Sequence, residues 1–405
     1  MTTTESRSED DTAADEQAVS ERITEFLADV AARPADKREI WARQFDAGLA
    51  WVDFPVGFGG MGVGRGLRAL VTARLRAAGI RESSTANGIG VSLTAPLLVS
   101  HGTEEQRRRH LRPLFTGEEI CCQLFSEPGA GSDLAALATT AQRTDTGYVV
   151  NGQKVWTTLA HVSTWGLLIA RTNPDVPKHA GLSMFLVDMS SAGITPRPIR
   201  EMTGDADFNE VFLEDVEIPA ESLIGTEGGG WSAVVSALAN ERAVFSTPLP
   251  RGGGEIAEAV DLWKRFGAGR PELRDRYTRL WARAEALRLA EARAIASEEP
   301  GIVSPAWSYF KLLRSELSQQ VYSFCLTLTG PEGLEYGSYA MRRPETSEDM
   351  AHSGDVSRSF LFARCKTIAA GTSEVQRTIV ADRVLRLPRE PQVDRNTPWR
   401  DLRKG

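Results

Sequence analysis

The chain has 405 residues, 41% of them hydrophobic, 25% charged and 7% aromatic, with a formal net charge of −7. That is enough apolar material for a sizeable core, so collagen-like and wholly disordered readings are excluded, and the length fits two or three compact units. With 47 basic against 54 acidic residues there is no basic excess of the kind that nucleic-acid binding calls for.

Residues 1–17 hold six acidic groups and one basic group, which is −5 of the −7, and the rest of the chain is nearly balanced at −2. Residues 1–19 therefore read as a solvated, disordered acidic tail. Its character is the opposite of a signal peptide, and no apolar run reaches the ~18 residues of a membrane span. The four cysteines (Cys121, Cys122, Cys325, Cys365) show no CxxC spacing. Adjacent Cys121 and Cys122 are poorly placed to bridge each other. The expectation is a soluble, cytoplasmic protein with reduced thiols.

Between residues 20 and 120 the pattern is helical. Segments 20–32 and 67–78 carry apolar residues at three- and four-residue spacing, and a glycine-rich break at 57–66 separates them. Thr103-Glu104-Glu105-Gln106 looks like a cap opening a further helix. The break contains Gly57-x-Gly59-x-x-Gly62, a dinucleotide fingerprint by letter. That motif needs a strand before it and a helix opening at its last glycine. Here Pro55 precedes it and Gly64 and Gly66 follow, so it reads as a loop.

From residue 121 to about 219 the period changes to two. Gly147-Tyr148-Val149-Val150, Asn151-Gly152 and Gln153-Lys154-Val155-Trp156 predict a hairpin, with Asn-Gly as a type I′ turn. Segments 165–172, 182–189, 194–199 and 210–218 also read as strands, giving an antiparallel β domain. From residue 229 the helical period returns over 231–244, 273–296, 307–329 and 357–369, with loops at 267–271 and 342–355, and residues 391–405 form a tail. The fold class is α+β: a β domain between two helical ones.

No zinc-ligand spacing, GxSxG or Walker sequence is present, and no metal is expected. Three stretches suggest chemistry. The first is Gln123-Leu124-Phe125-Ser126-Glu127-Pro128-Gly129-Ala130-Gly131-Ser132-Asp133. Its small residues let backbone N–H groups approach a ligand, as an anion nest does. The bland alternative is a plain turn. The second is Lys154-Val155-Trp156-Thr157-Thr158, an aromatic face flanked by hydroxyls, suited to a flat, heteroatom-rich ring; the alternative is a core tryptophan. The third is Ala370-Gly371-Thr372-Ser373-Glu374-Val375-Gln376-Arg377, where Gly371 ends one helix and Thr372 or Ser373 caps the next.

In this order and spacing, the three stretches resemble the acyl-CoA dehydrogenase family. Segments 56–64, 93–117 and 209–219 and the run Gly228-Gly229-Gly230-Trp231 extend the resemblance over roughly residues 20–390. The resemblance implies an N-terminal helical domain (20–120), a middle barrel-like β domain (121–228), a C-terminal four-helix bundle (229–390) and FAD as cofactor. It implies α,β-dehydrogenation of an acyl-CoA or acyl-carrier-protein thioester, with hydride passing to flavin N5. It also implies an electron-transfer-flavoprotein-type acceptor and a homodimer, a homotetramer or a heteromer, with no role for nucleic acid or membrane.

Carried over residue by residue, Gln123, Phe125, Ser126, Gly131 and Ser132 line the flavin. Ser126 bonds its ring, and Ser132 also lies near the thioester. Trp156 covers one ring face, Thr157 stands beside it, and Thr158 donates to N5 or its neighbour. Thr372, Ser373 and Glu374 fall at the adenosine half. Many members place the catalytic glutamate directly before Gly-Thr-Ser, where this chain has Ala370. Others carry it in a Glu-Arg pair on the first long C-terminal helix, here Glu241-Arg242. Glu241 is thus the expected base, and Arg242 a site-ordering cation at the substrate.

The cofactor contacts that members lend to a neighbouring subunit are reduced here to Arg265-Phe266-Gly267 and an atypical 327–333 segment. Branches acting on bulky substrates such as steroid side chains share such features and include heteromers. A flavin monooxygenase on the same fold and a non-catalytic partner subunit stay open as alternatives.

Overall fold

The computed structural model describes residues 9–244, 249–296, 306–350, 355–389, 391 and 394–402. The N-terminal region folds as α1 (Glu9–Ala32), α2 (Lys37–Asp46), α3 (Arg68–Ala77), α4 (Ala95–His101) and α5 (Glu104–Thr116). Helix α1 opens inside the segment expected to be a disordered tail. Ala13, Ala14 and Ala18 favour helix, and acidic groups in its first turns suit the positive end of the helix dipole. Val19, at the expected boundary, is buried with Ile23 among Val71 and Leu75 of α3. At α5 the expected cap forms in full: Gln106 N donates to Thr103 Oγ1 (3.1 Å) and Thr103 N to Gln106 Oε1 (3.0 Å). The glycine-rich stretch is a packed loop that leads through a short turn (Arg65–Leu67) into α3.

The β domain is one eight-stranded sheet of β1 (Cys121–Leu124), β2 (Thr140–Arg143), β3 (Gly147–Thr158), β4 (Trp165–Arg171), β5 (Leu182–Asp188), β6 (Ile194–Pro198), β7 (Phe208–Pro219) and β8 (Leu223–Ile224). Its order is β6-β7-β3-β2-β4-β5-β8, with β1 also paired to β4. Most pairings are antiparallel, but β1 and β2 each run parallel to β4.

The hairpin expected at 147–156 does not form. Those residues lie in one continuous strand, β3, paired with β2 on one side and β7 on the other, and the register shifts between Val150 and Gly152. Asn151-Gly152 serves this bulge rather than a turn. Asn151 Nδ2 donates to Asp215 Oδ1 and Asp215 N donates to Asn151 Oδ1, both at 2.9 Å. Gly152 is needed because a Cβ there would run into Thr139 Oγ1. Short-range turn propensity thus gives way to pairing on both edges of the strand.

The C-terminal region comprises α6 (Gly230–Val244), α7 (Glu255–Phe266), α8 (Arg274–Ala296), α9 (Ala306–Thr329), α10 (Val356–Phe362) and α11 (Ser373–Ile379). Helix α6 buries Ala233, Val234 and Ala237 in the core shared by the N-terminal helices and the sheet. Helices α7, α8 and α9 enclose a second core around Ile256, Leu262, Leu280, Val321 and Phe324. The helix expected over 357–369 stops at Phe362 and continues as a 3-10 turn at Cys365–Thr367. No helix among the described residues is long and apolar enough to cross a membrane. All four cysteines are free, and burial pushes the Cys121 thiol up to about 12.

Candidate cofactor and thioester site

Strand β1 carries Gln123, half-buried, into Phe125, buried, and then into the loop that holds Ser126 and Ser132. Glu127 N donates to Ala130 O and Ala130 N to Glu127 O, closing a tight turn. Gly129 at its tip and Gly131 and Ser132 beyond it are exposed, and a Cβ on either glycine would meet nothing within 4 Å. The loop therefore presents its backbone to open space.

This loop is bolted to β3. Val155 N donates to Ser126 O at 2.8 Å, which fixes Ser126 beside Trp156. Below it lies a buried ion pair. Lys154, with 0% exposure, donates to Glu127 Oε1 (2.8 Å), Ile169 O (2.8 Å) and Phe125 O (3.1 Å). Glu127 also accepts from Ala138 N (2.6 Å) and Thr139 N (2.9 Å). Burial pushes the Glu127 carboxyl up, but the Lys154 charge and these hydrogen bonds outweigh it and hold the group below its ordinary value. The sequence reading assigned the pair no role. A lysine at a fully buried strand position requires an anion beside it, and that was the available signal.

Trp156 is not a core residue. It is 57% exposed, with φ of 59°, where the β3–β7 register shifts between Lys154 and Thr157. The bulge turns the indole outward, edge-on to Phe208 with centroids 5.9 Å apart. A non-glycine residue held in the left-handed region is strained, and such strain persists where surrounding structure enforces it. Thr157 is buried, and its hydroxyl has no hydrogen-bond partner; Thr158 is half-buried. Leu159 N donates to Asp207 O at 2.8 Å. Beside Asp207, burial and the neighbouring Asp207 and Asp205 carboxylates push Glu201 up to about 9.

The C-terminal motif is a turn with two left-handed residues, Ala370 (φ 52°) and Gly371 (φ 88°). Lys311 Nζ donates to Gly371 O (2.6 Å) and Lys366 O (3.0 Å), and Gln376 Nε2 donates to Ala370 O (3.1 Å). Thr372 caps α11 by accepting from Val375 N at 3.2 Å. Ser373 is buried with an unpartnered hydroxyl, whereas Glu374 is exposed. Burial raises the Cys365 thiol, and the Glu201 and Asp207 carboxylates add to the rise. Glu241 and Arg242 lie in the last turns of α6, and their side chains fall outside the described residues.

An exposed indole beside hydroxyls and a loop with an open backbone face fit a large planar ring, and the orphaned Thr157 and Ser373 hydroxyls each have hydrogen-bonding capacity left for a polar cofactor.

Family models describe the same three-part order: "Acyl-CoA dehydrogenase, N-terminal domain" over residues 10–118, "Acyl-CoA dehydrogenase, middle domain" over 122–216 and "Acyl-CoA dehydrogenase, C-terminal domain" over 228–385. The acyl-CoA dehydrogenase IpdE1 of Mycobacterium tuberculosis is 36% identical over 88% of this chain and 89% of its own length. The acyl-CoA dehydrogenase FadE34 of the same organism is 37% identical over 91% of this chain. The chain spans about half of that relative's length, 48%. Among solved structures, the ChsE4–ChsE5 complex from Mycobacterium tuberculosis matches with a TM-score of 0.70 and 27% identity, over 96% of this chain and 100% of the other. The chain belongs to the acyl-CoA dehydrogenase family.

Proposed function

We propose that the chain is an FAD-dependent α,β-dehydrogenase of an acyl-CoA thioester, with Glu241 as the base. The observation that carries this reading is Trp156, held outward at a strained bulge and tied through Val155 to the Ser126 carbonyl. Ser126, Thr157 and Thr158 would hold the flavin ring against Trp156, and Thr372 and Ser373 the adenosine half. Bound there, FAD supplies the hydride acceptor. Glu241 takes the α-proton, and Ser132 sits on the thioester side of the loop. A thioester α-hydrogen is too weakly acidic for a free carboxylate, so donors to the thioester oxygen must stabilise the developing charge, at ~3 kcal/mol per donor. A desolvated carboxylate narrows the gap further.

The similar solved structure is a complex of two different chains by its own description. Here Met202, Leu334, Tyr339 and Met341 are exposed, and Arg200 on the Met202 side bonds to Tyr339 O. These side chains supply an apolar face for a second subunit. We assign the chain to a homodimer, a homotetramer or a heteromer, and its electrons to an electron-transfer-flavoprotein-type acceptor.

Trp156→Ala tests the cofactor wall. Loss of the stacked ring is expected to weaken FAD binding by about tenfold, measured by flavin fluorescence on titration into the stripped protein. The unfolding midpoint of the stripped protein should stay close to wild type, because the indole is mostly exposed. Unchanged FAD affinity would remove Trp156 from the site.

A further inference from the structure

The family match ends at residue 385, yet the chain continues and folds back onto the β domain. Pro398 bridges Pro177, Trp399 N donates to Val176 O (2.9 Å), and Arg400 N donates to Pro174 O (3.1 Å). Arg400 also pairs with Asp175. At the centre of this strap the Trp399 ring lies over the Arg171 guanidinium, 4.3 Å from its centroid, and the indole N–H donates to Ala136 O at 3.3 Å.

Arg171 is 2% exposed, and it forms no ion pair among the described contacts. Its fork grips backbone instead: Nη2 donates to Ala135 O (2.7 Å), Nε to Leu137 O (3.2 Å) and Nη1 to Lys178 O (3.1 Å). Lys178 Nζ in turn bonds Asp133 Oδ2 at 2.7 Å. Burial lowers the Arg171 pKa to about 10, so the cation gains from a face-on aromatic ring.

We propose that Trp399 is a positioning residue for the Ser126–Ser132 loop, acting through Arg171. The loop has two feet. The Lys154–Glu127 pair holds one and ties it to Ala138 and Thr139. Arg171 holds the other at Ala135–Leu137, and Trp399 fixes Arg171. Residues 128–133 span the gap between them and are exposed except at Ala130, which is buried. The Trp399 strap thereby sets where Gly131 and Ser132 meet the thioester. This rests on the reading of the loop as the cofactor and thioester wall.

The test compares holoenzymes carrying Trp399→Ala, Trp399→Phe and Ser132→Ala, by hydrogen exchange over residues 128–139 and by KM and kcat with an acyl-CoA. Trp399→Ala is expected to speed exchange in this segment by at least tenfold and to raise KM about tenfold, with kcat within threefold. Trp399→Phe keeps the ring over the guanidinium and should return both to within about threefold of wild type. If Trp399→Ala does not fold, Asp175→Asn loosens the same strap, and a smaller shift in the same direction is expected. Unchanged exchange in the folded variants overturns the proposal. So does faster exchange with KM unmoved while Ser132→Ala raises KM. If Ser132→Ala also leaves KM unmoved, it is the thioester-wall reading that fails, and exchange alone then decides whether Trp399 holds the loop.

Discussion

Replacing Glu241 with glutamine is expected to leave the protein yellow and to slow flavin bleaching by an acyl-CoA by roughly 10²–10⁴-fold, the usual worth of a positioned general base. Glutamine matches the shape of glutamate but cannot take a proton, so cofactor binding should survive while the step that needs the α-proton fails. The alternative position is informative because of what occupies it. Ala370 is exposed and already left-handed, so its backbone accepts a residue with a Cβ. Ala370→Glu in the Glu241→Gln background should restore part of the rate if the turn faces the same substrate carbon. Stopped-flow absorbance of the flavin band reads both variants. Bleaching at the wild-type rate in Glu241→Gln would remove Glu241 from the reaction.

Lys154→Met is expected to destabilise the protein by about 3–5 kcal/mol, because it leaves Glu127 buried without its cation. It should also release FAD, since the same ammonium holds the carbonyls of Phe125 and Ile169. Glu127→Gln should cost less in charge but should still weaken the bonds from Ala138 N and Thr139 N. The double variant is expected to be less destabilised than the sum of the two singles, because no lone charge remains.

The pH dependence has a definite sign. The Glu127 carboxyl is held below its ordinary 4.5 in the folded state. Its contribution is complete above 4.5 and is lost as the pH falls through the lowered folded value. Urea midpoints of wild type should therefore fall in acid, and those of Glu127→Gln should fall less steeply over that window. Parallel curves would show that the pair does not govern acid stability.

The order of helices, sheet and helices was legible because apolar spacing at three to four residues and at two records which face of an element is buried. Helices α2 and α7 escaped notice; α2 shows its buried face mainly through Trp41, Gln44 and Phe45. The false hairpin has a specific cause. Asn151-Gly152 has turn chemistry, but its neighbours are β2 and β7, which no local pattern reveals. The start of α1 was hidden by its acidic charge, which favours a helix N-terminus as readily as a disordered tail.

At the site, the Gly-Ser loop, the Trp156 segment and the Thr372 cap were readable as types of residue in series. What holds them was not. Lys154 with Glu127, Arg171 under Trp399, and Lys311 on the Gly371 carbonyl are contacts between residues 27 to 228 apart in the chain. Only the folded backbone brings those partners together.

Anaerobic titration of the purified protein with a panel of acyl-CoA thioesters tests the central claim most directly. The predicted result is a flavin spectrum as isolated, bleached by at least one thioester, with one equivalent of the trans-2-enoyl product per flavin reduced. A protein that binds no flavin, or whose flavin stays oxidised across the panel while a partner subunit's own flavin is reduced, would contradict it.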